Sequence, residues 1–111
     1  VSRDPAQRID DVLEAIERCT RYVVALQDDF TDVEMVEDAI ERNLQIIGEA
    51  VTHLPADITG AHLEVPWSQI RGFRNILVHQ YFGVDVEVVR DVVVTHLPQL
   101  REVLRGHVDD I

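Results

Sequence analysis

A chain of 111 residues carries 21 acidic and 10 basic residues, for a net charge of −11. That length bounds it to a single domain, 1–111, and the charge argues against broad, non-specific duplex binding, which needs a basic face. The one cysteine, Cys19, excludes an intramolecular disulfide and a cysteine-built zinc cluster.

Asp4-Pro5 opens the first predicted helix, because Asp accepts from orphan amides as N-cap and Pro suits the first helical position. Ile9, Val12, Leu13, Ile16, Cys19, Val23 and Leu26 then recur with a helical period, so helix 1 is expected over Pro5 to Leu26. Cys19 falls on this stripe and reads as a small core residue. Thr31-Asp32-Val33-Glu34 has a capping-box pattern, with Thr31 as N-cap and Glu34 reaching back. Helix 2 follows to about Leu54, where Pro55 stops it.

The stripe of helix 2 is broad: Val36, Ile40, Leu44, Ile47, Val51 and Leu54, flanked by Ala39, Ile46 and Ala50. It is wide enough to pack against more than one neighbour. Arg42, Gln45, Glu49 and His53 form a polar line on the other side. Residues 55–65 read as a loop. Pro66 opens helix 3, which runs through Trp67, Ile70, Phe73, Ile76 and Leu77 to about His79.

After Gly83, Asp85 caps helix 4, whose stripe includes Val88, Val92, Leu97, Leu100 and Leu104. Pro98 should kink it or displace one backbone hydrogen bond. The tail after Gly106 is expected to fray. The fold class is all-α, an up-and-down four-helix bundle with short links. No apolar run approaches the ~18 residues a membrane span needs, and no basic-then-apolar leader opens the chain, so the expected location is cytoplasmic.

From Val65 to Val84 there is no Asp or Glu, and the only full charges are Arg71 and Arg74. The remainder of the chain is therefore at −11 − (+2) = −13. A stretch kept clear of carboxylates suits an anionic ligand. It contains Arg74-Asn75-Ile76-Leu77-Val78-His79-Gln80-Tyr81. A permanent guanidinium and an imidazole that titrates near neutrality are a minimal kit for cleaving a phosphodiester.

In that chemistry His79 acts as general base on an RNA 2′-hydroxyl, or as acid on the leaving 5′-oxygen. Arg74 holds the phosphate and neutralises charge in the transition state. Asn75 orients the histidine or the phosphate, and Arg71 is a further phosphate contact or a surface residue pairing with helix 2. No metal is required, because the attacking hydroxyl belongs to the substrate. His53, His62, His96 and His107 are scattered without paired ligand spacing, so no metal site is assigned.

Arg71, Asn75 and His79 drift only about 80° around a helix and share a face. Arg74 and His79 differ by about 140° on a straight helix, so gripping one phosphate needs a helix end near Val78 or a second copy. Spacing alone leaves capping or salt bridging open for both.

The segment Arg74 to Tyr81 resembles the Arg-x4-His-x-Tyr signature of HepT-like ribonuclease toxins in the HEPN superfamily. Glu41 to Ala50, Glu-Arg-Asn-Leu-Gln-Ile-Ile-Gly-Glu-Ala, resembles that family's second-helix segment, and Trp67 and Leu97-Pro98 also fall where the family has them. The resemblance implies a HEPN-type bundle assembling as a homodimer with an RNA cleft between protomers. It implies a metal-independent endoribonuclease, the toxin of a toxin–antitoxin pair whose antitoxin is an MntA-like nucleotidyltransferase. It also implies AMP transfer to the motif tyrosine, here Tyr81.

Blander readings stand beside these. Tyr81 can pack beneath helix 4, Trp67 can be an apolar anchor, and Arg42 and Glu49 can form a solvated stripe or face the dimer cleft. The acidic run from Asp28 to Glu41 can be a solvated face or a dock for a basic antitoxin. A non-catalytic helical subunit of a nucleotidyltransferase complex is the rival function. A structural helical dimer, with Arg74 and His79 only satisfying helix ends, is the third.

Overall fold

The computed structural model describes residues 4–73 and 91–109, and every regular element among them is helical. Helix α1 spans Pro5–Ala25, and Asp4 caps it as expected. The Ala6 amide donates to Asp4 Oδ1 at 3.0 Å, and the Asp4 amide donates to Gln7 Oε1 at 3.2 Å. This reciprocal pairing settles two orphan donors at the helix start.

Helix α2 spans Val33–Thr52. Its N-cap is Asp32, not Thr31: the Met35 amide donates to Asp32 Oδ1 at 3.1 Å. Both neighbours are capping residue types, and a carboxylate additionally complements the positive end of the helix.

The expected loop over 55–65 contains a short helix, α3, at Ala56–Ala61, because Ile58 finds a buried site and one helical turn carries it there. Helix α4 spans Trp67–Arg71, and a tighter turn at Gly72 and Phe73 follows. The remainder of the expected third helix, and the expected cap at Asp85, lie outside the described residues.

After Asp91 the chain makes a π-helical turn, Val92–His96, and continues as α5, Leu97–Asp109. Pro98 has no N–H for the carbonyl four residues back, and its ring crowds that oxygen. The helix widens just before it: the Leu97 amide donates to the Val92 carbonyl, five residues back. α5 also runs past Gly106 to Asp109, further than the sequence suggested.

α1 lies at the centre of these contacts, packing against α2 on one side and against the π turn and α5 on the other. The Cys19 thiol donates to the Ile40 carbonyl at 3.9 Å, which pairs the last turns of α1 with the first turns of α2, so the two run antiparallel. α5 also runs antiparallel to α1: Val94 and Pro98 line a recess with Val24, and His107 and Val108 line one with Pro5 and Ile9. The shared core holds Val12, Ile16 and Cys19 from α1, Leu44 and Ile47 from α2, and Leu100 and Leu104 from α5. Burying each large aliphatic contributes roughly 1.5–3 kcal/mol.

Candidate active site

The motif residues Arg74, Asn75, His79 and Tyr81 lie outside the described residues. Described structure flanks them on both sides: α4 and Phe73 before, Asp91 and the π turn after.

On the N-terminal side stands α4. Trp67 is buried, and its indole Nε1 donates to the His62 carbonyl at 2.9 Å. A buried indole needs such a partner. Val65 and Ile70 are buried beside it, and Phe73 packs partly against the same core. Trp67 is therefore an apolar anchor rather than an exposed stacking platform. Gln99 Nε2 of α5 donates to the Glu64 carbonyl at 3.5 Å, which ties the link ahead of α4 to the last helix.

On the C-terminal side stand Asp91 and the π turn. Thr95 Oγ1 donates to Asp91 Oδ1 at 3.0 Å, and His96 Nε2 lies 3.8 Å from the other carboxylate oxygen. Val93 and Leu97 then bury themselves in the core. π turns inside helices recur at functional sites, where the extra residue re-aims what precedes it.

Arg71 is half-buried in the last turn of α4. It pairs with no carboxylate among the described residues, so the expected pairing with α2 is not made there. On α2, Arg42 Nη1 donates to Gln45 Oε1 at 3.0 Å, and His53 Nε2 lies 3.1 Å from Glu49 Oε1. All four residues are paired within their own helix. Arg42, Glu49 and His53 are exposed, and Gln45 is half-buried.

The sequence reading missed two polar side chains on the other faces of α2. Glu41 and Asn43 are each only 6% exposed. Asn43 Nδ2 donates to the Ala39 carbonyl at 2.8 Å, but its Oδ1, and Oε2 of Glu41, are buried without a donor among the described residues. Unpaired buried acceptors are rare and call for an explanation. Burial pushes the Glu41 carboxyl above its ordinary range, and the charges of Asp38 and Glu37 push it further. The only available signal was Glu41 lying directly between Ile40 and the broad stripe continued by Leu44. A charged residue in that position is ordinarily assigned to solvent.

Cys19 is fully buried, and burial pushes its thiol up to about 12, slightly opposed by Arg18. It is a core residue, not a nucleophile. No described helix is long and apolar enough to cross a membrane.

Comparison with known proteins places these elements in context. A family model described as "Ribonuclease HepT-like" matches residues 12–106. The chain is 36% identical over 99 residues to the "Probable ribonuclease HepT" of Thermococcus cleftensis, covering 89% of this chain and 88% of that one. It is 32% identical over 101 residues to the "Putative RNase TTE0752" of Caldanaerobacter subterraneus subsp. tengcongensis, covering 90% of each. It is also 35% identical over 95 residues to the "Gamma-glutamylcyclotransferase and putative RNase MJ0434" of Methanocaldococcus jannaschii; there 85% of this chain spans only 43% of the relative. No solved structure matches.

Proposed function

The chain belongs to the HepT-like ribonuclease family, and from that premise we propose that it is a metal-independent endoribonuclease acting as the toxin of a toxin–antitoxin pair. The observation that carries this reading is the Arg74-x4-His79-x-Tyr81 spacing, set in an acid-free stretch of an otherwise acidic chain.

His79 takes the proton from the RNA 2′-hydroxyl. The 2′-oxygen attacks phosphorus, the bond to the 5′-oxygen breaks, and the leaving oxygen receives a proton from an imidazolium. The products are a 2′,3′-cyclic phosphate and a free 5′-hydroxyl. Arg74 neutralises the charge that grows on the phosphoryl oxygens, with Asn75 orienting and Arg71 holding a neighbouring phosphate. A four-helix HEPN bundle assembled as a homodimer brings a second motif across the two-fold. That supplies both the base and the acid, and it relieves the angular mismatch between Arg74 and His79.

Neutralisation falls to an MntA-like nucleotidyltransferase antitoxin, which transfers AMP to Tyr81. Added negative charge and bulk beside His79 exclude the RNA phosphate. The acidic run from Asp28 to Glu41 supplies a dock for a basic face of that partner.

The net charge of −11 favours one rival, a non-catalytic helical subunit of a nucleotidyltransferase complex, since acidity opposes RNA affinity. Incubating the pure protein with RNA in EDTA separates the two. Fragments ending in 2′,3′-cyclic phosphate support the enzyme, and intact RNA at high protein concentration supports the rival.

A further inference from the structure

An open groove of about 330 Å³ runs along the seam between α1 and the π turn with α5. Val24 and Val94 stand on its two sides, 62% and 60% exposed, and Pro98 lies beside them. Exposed branched aliphatics facing one another across a recess form an apolar bed without a cover. At one end the groove meets a second recess of about 290 Å³, with which it shares Ile16, Thr20 and Arg101. Arg21 joins Arg101 there.

Like most arginines among the described residues these two form no ion pair, but they alone share one recess from two helices. Acidic residues outnumber basic ones 21 to 10, so carboxylate partners are plentiful. Arg18, one turn before Arg21, takes Glu14 at 3.8 Å. Arg21 and Arg101 converge on one recess from two helices, and neither forms an ion pair among the described residues. Glu17 lines the same recess but does not come within ion-pairing distance of either. A pair of convergent, uncompensated guanidiniums complements an anion, and a planar fork of donors suits phosphate.

The adjoining apolar bed has the volume of a small-ligand site, and its rim offers Gln27 and Thr20 as polar groups. Phosphate at one end and an apolar face at the other is the pattern of a nucleotide unit within a strand. The groove takes in Val93, two residues after Asp91.

We infer that the α1–α5 groove is a single-stranded RNA exosite, in which Arg21 and Arg101 hold backbone phosphate and Val24, Val94 and Pro98 bed a neighbouring base. This rests on the ribonuclease reading and names where the substrate is held away from the cleavage chemistry. It reconciles an acidic protein with a polyanionic substrate: affinity comes from a local cationic pair, not from net charge.

The test uses the full chain and a short, fluorescently labelled 2′-O-methyl oligoribonucleotide, which binds but offers no 2′-hydroxyl to attack. Affinity is measured across a salt series, with the oligomeric state followed by sedimentation. Replacing Arg21→Glu together with Arg101→Glu lowers affinity at least about tenfold and flattens the salt slope by about 1.4, two contacts at ~0.7 each. Val24→Ser lowers affinity about threefold with the slope unchanged, because it removes apolar contact only.

Unchanged affinity and slope in the double variant overturn the exosite, as does a wild-type protein that does not bind the probe. A double variant whose oligomeric state changes while RNA affinity holds also overturns it, and makes the groove a contact between copies. A wild-type protein that binds the probe but leaves unmodified RNA intact refutes the ribonuclease reading alone, and the salt slope still decides the groove.

Discussion

The backbone amide of Leu97 donates to the carbonyl of Val92, five residues earlier, immediately ahead of Pro98. A ring that cannot donate and crowds the preceding turn is accommodated by one wide turn. Pro98→Ala restores the missing donor, so the turn relaxes toward regular helix. Stability should rise by about 1–2 kcal/mol, a fraction of the ~3 kcal/mol cost of an interior proline. RNA cleavage should fall, because the turn and Asp91 at its start are re-aimed. Urea unfolding and a cleavage assay on the same preparation check both.

Cys19 is closed off from solvent and its thiol is pushed up to about 12. The thiolate, which is the reactive species, is absent at neutral pH. Ellman's reagent should leave the native protein unlabelled over hours and label it fully in denaturant. Rapid native labelling contradicts the core placement. Cys19→Ser should cost about 1–3 kcal/mol, because a hydroxyl replaces a weak donor in an apolar site.

Glu41 makes stability depend on pH in the direction opposite to an ordinary salt-bridged carboxylate. Its folded carboxyl titrates above its ordinary value of 4.5, through burial first and Asp38 and Glu37 second. Below about 4.5 both folded and unfolded forms are protonated and nothing is lost. As pH rises through the folded value, the unfolded chain releases its proton more readily, and stability declines. Glu41→Gln should therefore match the wild-type melting temperature near pH 4 and exceed it near pH 8. A constant difference across that range removes the titration of Glu41 as the cause.

Tyr81 should gain the mass of one AMP when the protein is expressed beside an MntA-like nucleotidyltransferase, and none when expressed alone. The tryptic peptide from Asn75 to Arg90 should carry the increment. The same gain in Tyr81→Phe moves the modification elsewhere.

Periodicity made α1 and the buried faces of α2 and α5 legible, because apolar residues at helical spacing have no other economical explanation. Pro98 was legible as a disturbance, since its chemistry is local, although the form of the disturbance depends on the helix packed around it. The cap at Asp32 was misassigned because Thr31 and Asp32 compete for one position and local pattern does not rank them. α3 was missed because six residues are too few to show a period. Burial of Glu41 and Asn43 was missed because polar residues flanking an apolar stripe are ordinarily assigned to solvent. At the candidate site, spacing identified which residues could do chemistry, and those residues lie outside the described ones. Nothing in a one-dimensional pattern marks Arg21 and Arg101 as neighbours, for they lie on separate helices far apart in the chain.

In the proposed function, His79 and Arg74 cleave RNA. The most direct measurement is the single-turnover cleavage rate of His79→Ala and Arg74→Ala against wild type, with melting temperature and sedimentation recorded for each. Removing a general acid–base group should cost about 10²–10⁴-fold in rate. Loss on that scale in both variants, with fold and assembly intact, is the predicted result. Cleavage retained at the wild-type rate in His79→Ala would contradict the account.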